Sequence, residues 1–188
     1  MRVSAETKAA TRNRILDAAR RLFAERGPAA VSMEDVARAA GVGKGTLYRR
    51  YRDKAALAVA LLDEQERALQ EELLRGSPPL GPGAPPAERL AAFYAAIVEL
   101  TEANAELALA AEHGGARYRT GGYAFWRAHV RSLLSAGGRP DPPGALAEVL
   151  LAPLAVELYQ HLRRQGVTRD QVVATLATLA ESVLAPAD

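Results

Sequence analysis

The chain has no cysteine. Disulfides, thiolate nucleophiles and cysteine metal sites are therefore excluded, and a cytoplasmic setting is the expectation. Aromatic residues make up only 5% of the chain, with a single tryptophan. No apolar run approaches the roughly 20 residues that span a bilayer, so no membrane partner is expected. The opening Met1-Arg-Val-Ser-Ala-Glu-Thr-Lys8 is too polar for a secretion signal. No segment alternates apolar and polar residues with β-branched enrichment, which excludes strands, and no fixed-period repeat is visible. The three histidines are His113, His129 and His161. No two share a helix at i, i+3 or i, i+4 spacing, so no metal site is expected. No catalytic constellation is recognisable either. Gly43-Lys-Gly-Thr46 has some look of a phosphate loop, but it lacks Walker spacing and follows a helix, where that loop follows a strand. Neither enzymatic activity nor a cofactor is expected.

What remains is a chain of 188 residues, 49% hydrophobic and 24% charged, long enough for one domain or two small ones with a real core. Its charge is unevenly placed. Residues 1–54 hold 13 Lys+Arg against 6 Asp+Glu, a net of +7; residues 55–188 hold 11 against 16, a net of −5. A basic head on an acidic body suggests a polyanionic partner for the head alone.

Residues 32–54 sharpen that expectation. Ser32 has the side-chain oxygen suited to a helix N-cap, with Asp35 three residues on in capping-box position. Val36, Ala37 and Ala40 give the first short helix an apolar face, and Gly41 can take the left-handed conformation that ends it. Val42 anchors the turn. A second helix is predicted over Lys44 to Tyr51, with Leu47 and Tyr51 inward and Lys44, Gly45, Thr46, Tyr48, Arg49 and Arg50 on the outer and leading faces. A short helix carrying cations, a hydroxyl and a phenol outward can enter a DNA major groove.

The run from Phe23-Ala-Glu-Arg-Gly27 through Ser32, Gly41-Val42, Gly45-Thr-Leu-Tyr48 and Asp53-Lys54 resembles the DNA-binding domain of the TetR/AcrR family of bacterial repressors. The likeness covers about residues 8–62. Gly43 stands where many members have a serine cap, and Arg50 where many have histidine. The C-terminal half is similar to the SbtR-like branch in the Gly-rich stretch Glu112 to Tyr123 and in Tyr123-Ala-Phe-Trp-Arg127. The resemblance implies an all-α homodimer, with a helix-turn-helix domain over residues 1–54 and a helical ligand-binding and dimerisation domain over 55–188, about nine helices in all. It places Lys44, Gly45, Thr46 and Arg49 nearest base edges of a palindromic double-stranded operator, with Ser32, Tyr48, Arg50 and Lys54 on phosphates. A small-molecule effector would release the operator. A ligand-binding or scaffold protein without specific DNA binding is the alternative.

Elsewhere, helical periodicity predicts helices over 11–26, 54–75, 87–104, 105–113, 123–136, 145–165 and 169–184. Five prolines and three glycines within 76–86 exclude a helix there. Pro153 should kink the helix at 145–165. Leu146, Val149, Leu150, Leu154, Leu158 and Leu162 line that helix; Val172, Val173, Leu176, Leu179, Val183 and Leu184 line the last. Such stripes serve either an intrachain core or a dimer interface, and the resemblance points to the dimer. Phe93, Tyr94, Ile97, Tyr118, Tyr123 and Trp126 form the candidate effector pocket, with Glu102, Asn104, Glu112, His113, Arg119 and Arg127 as polar groups. The same aromatics could simply fill the core.

Overall fold

The computed structural model describes residues 2–105, 121–139 and 144–185. Every regular element among them is helical: α1 Arg2–Arg26, α2 Met33–Ala39, α3 Lys44–Arg50, α4 Lys54–Arg75, α5 Pro86–Ala103, α6 Gly121–Ala136, α7 Ala145–Leu151, a 3-10 turn Ala152–Leu154, α8 Val156–Arg164 and α9 Arg169–Leu184. The helix expected at 105–113 lies outside the described residues. Two compact units emerge, Met1–Glu64 and Gln65–Asp188.

In the first unit, Ile15, Leu16, Ala19, Leu22 and Phe23 of α1 are buried with Val36, Ala37, Leu47, Leu57 and Leu61. α1 begins at Arg2 rather than near Thr11. Residues 2–10 contain no glycine or proline to stop a helix, and helical hydrogen bonding extends through them. The unit also takes in the first turns of α4, beyond residue 54, because Glu64 receives Arg20 and lies 3.8 Å from Arg12, both on α1. Asp53 caps α4 as its position suggests, accepting the Ala56 N–H at 2.8 Å.

In the second unit α5 is the central element, and α9 packs along it. Thr168 and Gln171 close a capping box that starts α9. The segment 145–165 is not one kinked helix. Pro153 has no N–H, and its ring crowds the carbonyl four residues back. The helix stops at Leu151, passes through the 3-10 turn, becomes extended at Ala155 (φ −64°, ψ 131°) and restarts at Val156 with a 42° change of direction. Tyr94 of α5 donates to the Leu150 carbonyl just before the break, at 3.0 Å.

The apolar stripes of α7–α9 divide between two fates. Leu150, Leu154, Val172, Leu176 and Leu184 enter the unit's own core; Val149 stays 65% exposed and Leu158 41% exposed. No single helix among the described residues is long and apolar enough to cross a membrane.

Candidate nucleic-acid interface

The α2–turn–α3 geometry is assembled from local bonds. Asp35 N–H donates to Ser32 Oγ at 3.1 Å, and the Asp35 carboxylate accepts from Ser32 N–H at 3.1 Å and from its hydroxyl at 2.6 Å. Those bonds from Ser32, hydroxyl first, hold the Asp35 carboxyl below its ordinary range. Gly41 ends α2 at φ +62°, a conformation open to glycine at little strain, and the Val42 N–H reaches back to Ala37 O at 3.0 Å. Gly43 begins α3 without a side-chain cap.

α3 is anchored by Leu47, fully buried, and by Tyr51 just past its end. Lys44, Gly45, Tyr48, Arg49 and Arg50 are exposed and Thr46 is half-buried. Arg49 reaches Thr46 Oγ1 at 3.3 Å. Gly45 is informative for what does not surround it. A Cβ there would meet nothing within 4 Å. A glycine inside a helix costs about 1 kcal/mol relative to alanine, and nothing among the described residues requires this one. Close approach by a partner's backbone would require it.

Three of the eight candidate DNA contacts are bonded to the α2 cap or to backbone carbonyls of the head. The Ser32 hydroxyl belongs to the cap described above. Arg50 donates to Lys8 O of α1 at 2.6 Å. The Lys54 ammonium donates to Pro28 O at 2.6 Å and Val31 O at 3.1 Å, with Ala29 O at 3.4 Å, gathering the carbonyls of the α1–α2 connection. Sequence reasoning missed Glu34, whose carboxylate lies 3.4 Å from Lys44 Nζ and accepts from Tyr48 OH at 3.4 Å. No sequence signal marks that meeting, which depends on how α2 crosses α3.

In the second unit, Phe93, Tyr94, Ile97, Tyr123 and Trp126 are brought together as buried core; Tyr118 lies outside the described residues. The Phe93 ring centre is 6.0 Å from Tyr94, 5.7 Å from Trp126 and 5.4 Å from His129. Burial pushes the Tyr94 phenol well up. Burial first, then the Arg89 charge, pushes His129 down to about 4. His129 Nε2 and Arg89 Nε are both buried without a hydrogen-bond partner among the described residues. Tyr123 OH and Arg127, the latter at 2.8 Å, both engage Glu148. Glu102 pairs with Arg163 at 3.3 Å, and Asn104 donates to Leu100 O at 2.8 Å. Glu112, His113 and Arg119 lie outside the described residues. A cleft of about 290 Å³ opens beside Glu102, Tyr159 and Arg163, apart from the aromatic set.

Residues 15–61 match the family model described as bacterial regulatory proteins, tetR family. An uncharacterized HTH-type transcriptional regulator of Mycobacterium tuberculosis is 35% identical over 135 residues, covering 69% of this chain and 64% of that protein. The HTH-type transcriptional regulator UidR of Escherichia coli is 45% identical over 60 residues, 31% of each chain. The chain thus spans just under two thirds of the mycobacterial relative's length. A crystal structure of a putative TetR-family transcriptional regulator from Rhodococcus sp. superposes with a TM-score of 0.65 at 21% identity, covering 94% of this chain and all of that one.

Proposed function

From a tetR-family N-terminal domain carried on a TetR-like all-helical fold, we propose that this chain is a transcriptional repressor that binds a palindromic operator as a homodimer and is released by a small molecule. The observation that carries the DNA reading is the exposed face of α3, where cations, a hydroxyl and a phenol share a short helix with a glycine that nothing among the described residues needs. Lys44, Gly45, Thr46 and Arg49 are assigned to base edges, and Tyr48 and Arg50 to phosphates. Ser32 and Lys54, each held by more than one bond within the head, are assigned to holding it in shape, while Arg50, with one guanidinium nitrogen on Lys8 O, keeps donors for a phosphate. A DNA partner also implies a cytoplasmic setting.

Selection of bound duplexes from a random library, followed by gel shifts in low and moderate salt, tests this reading. The expected result is a palindrome whose half-sites lie about one helical turn apart, roughly 34–36 Å. Equal affinity for selected and scrambled duplexes would favour a ligand-binding or scaffold protein instead.

The dimer reading rests on the apolar residues that α7 and α8 leave outside, Val149 and Leu158, and on the outer face of α9. There Thr175, Thr178 and Ser182 return their hydroxyls to carbonyls one turn back in the same helix, so the face needs no polar partner. Val149→Glu with Leu158→Glu should yield monomers in sedimentation. A dimer of unchanged stability would overturn the assignment.

The effector reading draws on the buried His129 Nε2, on a ring beside Phe93, and the buried Arg89 Nε, neither with a hydrogen-bond partner among the described residues. An apolar ligand with one acceptor group would complement them. Titration followed by Trp126 fluorescence tests it, with Phe93, Tyr94, Ile97, Tyr118, Tyr123 and Trp126 as the site. α4, whose residues fall in both units, is the proposed route from ligand to operator. The C-terminal half is assigned to the SbtR-like branch on its Tyr123–Arg127 run.

A further inference from the structure

Glu34 lies in the first turn of α2, yet it contributes neither to the cap nor to the core. Asp35 closes the capping box, and Met33, Val36 and Ala37 are the buried residues of that helix. One carboxylate oxygen of Glu34 instead spans α3, 3.4 Å from the ammonium of Lys44 and 3.4 Å from the hydroxyl of Tyr48. The carboxyl is held below its usual range, by its own backbone N–H first and then by Lys44, so it is charged at neutral pH. A full negative charge therefore sits among side chains assigned to a polyanion.

We infer that Glu34 is a positioning residue that masks Lys44 and thereby restrains sequence-independent DNA binding. The argument rests on the DNA-binding reading above. Sequence-independent affinity comes from cations that replace condensed counterions on phosphates. Lys44 paired with Glu34 gains little by moving to a phosphate, because it exchanges one anionic partner for another. Random DNA then leaves Lys44 on Glu34. A matched site offers a base edge as well, and the exchange becomes favourable. The Tyr48 hydroxyl, 3.4 Å from the same oxygen, lies beside Lys44 in this arrangement.

The charge can be removed with little else changed. In Glu34→Gln the amide oxygen can still accept from Tyr48, while the ionic partner of Lys44 is lost. The probe is a random-sequence duplex of about 30 base pairs, titrated between 50 and 200 mM salt with the full chain. Glu34→Gln should tighten binding at low salt and steepen the dependence by about one phosphate's share, near 0.9 in log K against log salt. Over that fourfold salt range the variant should lose roughly 3.5-fold more affinity than wild type, the factor that slope implies. In a Lys44→Met background the same substitution should change neither affinity nor slope.

A salt slope unchanged by Glu34→Gln overturns the inference. So does a gain that persists without Lys44, which would mean direct repulsion of phosphate by Glu34. A selected consensus altered at a single cytosine would mean that Glu34 reads a base, and overturns it likewise. Circular dichroism and a Glu34→Ala variant guard against a misfolded head, since loss of fold weakens binding and cannot steepen a tightened isotherm. Failure of the underlying reading looks different: wild type itself would show no salt-dependent affinity for the duplex.

Discussion

Replacing Lys54 by methionine separates a structural role from a DNA contact. Methionine keeps the apolar stem and removes the ammonium, so the Pro28 and Val31 carbonyls lose donors at 2.6 and 3.1 Å. The 3.4 Å approach to Ala29 O is too long to add much. Hydrogen bonds to charged groups are worth about 1.5–3 kcal/mol each. Both carbonyls are only partly buried, so water replaces part of what is lost, and the expected net destabilisation of the head is about 2 kcal/mol. With a urea slope near 1 kcal/mol per molar for a unit this small, the midpoint should fall by about 2 M. Far-UV circular dichroism reports the transition, and hydrogen exchange should show faster opening of amides in 29–36. DNA binding by the folded variant should keep its salt slope, because these donors are already engaged. An unchanged midpoint together with a slope reduced by about 0.9 would refute the reasoning and put Lys54 on a phosphate.

Gly41→Ala should destabilise the head by about 1 kcal/mol or more, since φ +62° strains any residue with a Cβ, and urea denaturation checks it. Phe93→Ala, from a fully buried position against Trp126, should lower the stability of the second unit by about 3–5 kcal/mol, read by Trp126 fluorescence in urea. His129 titrates near 6.5 when unfolded and at about 4 in the fold, so between those values the unfolded chain binds more protons. Its contribution is complete above about pH 6.5 and declines as pH falls toward 4, by up to about 1.4 kcal/mol per pH unit. His129→Phe should flatten that part of the stability–pH curve, and an unaltered slope would contradict the assignment.

What could be read without coordinates was local. The Ser32–Asp35 box, the Gly41 turn, the Asp53 and Thr168 caps and the helix-free stretch, which runs over 76–85 up to the start of α5 at Pro86, each depend on atoms a few residues apart. Side-chain chemistry at those spacings has few alternatives, so the residues imply the geometry. The inward place of Leu47 and the outward place of Lys44, Tyr48 and Arg49 follow in the same way, from helical periodicity. The start of α1 was less legible because residues 2–10 carry no cap or breaker to mark a boundary.

The partners of the charged and aromatic side chains were not legible at all. Lys54 looks like a free cation in sequence, and its engagement depends on carbonyls 23 to 26 residues away. Glu34 looks like an ordinary first-turn acid until α2 crosses α3 and brings it to Lys44. Phe93 and Trp126 satisfy a pocket or a core equally well by composition, and only packing makes them buried and sets Phe93 against His129, whose Nε2 has no hydrogen-bond partner among the described residues. The sequence by itself determined where most of the described helices lie, several of their caps and the exposed face of α3, because those follow from bonds within a turn or two. Tertiary structure alone decided which of the exposed-looking cations are already bonded, which apolar residues of α7–α9 stay outside, and where an acid meets the recognition helix. Those outcomes depend on distances between segments remote in the chain, which residue spacing does not encode.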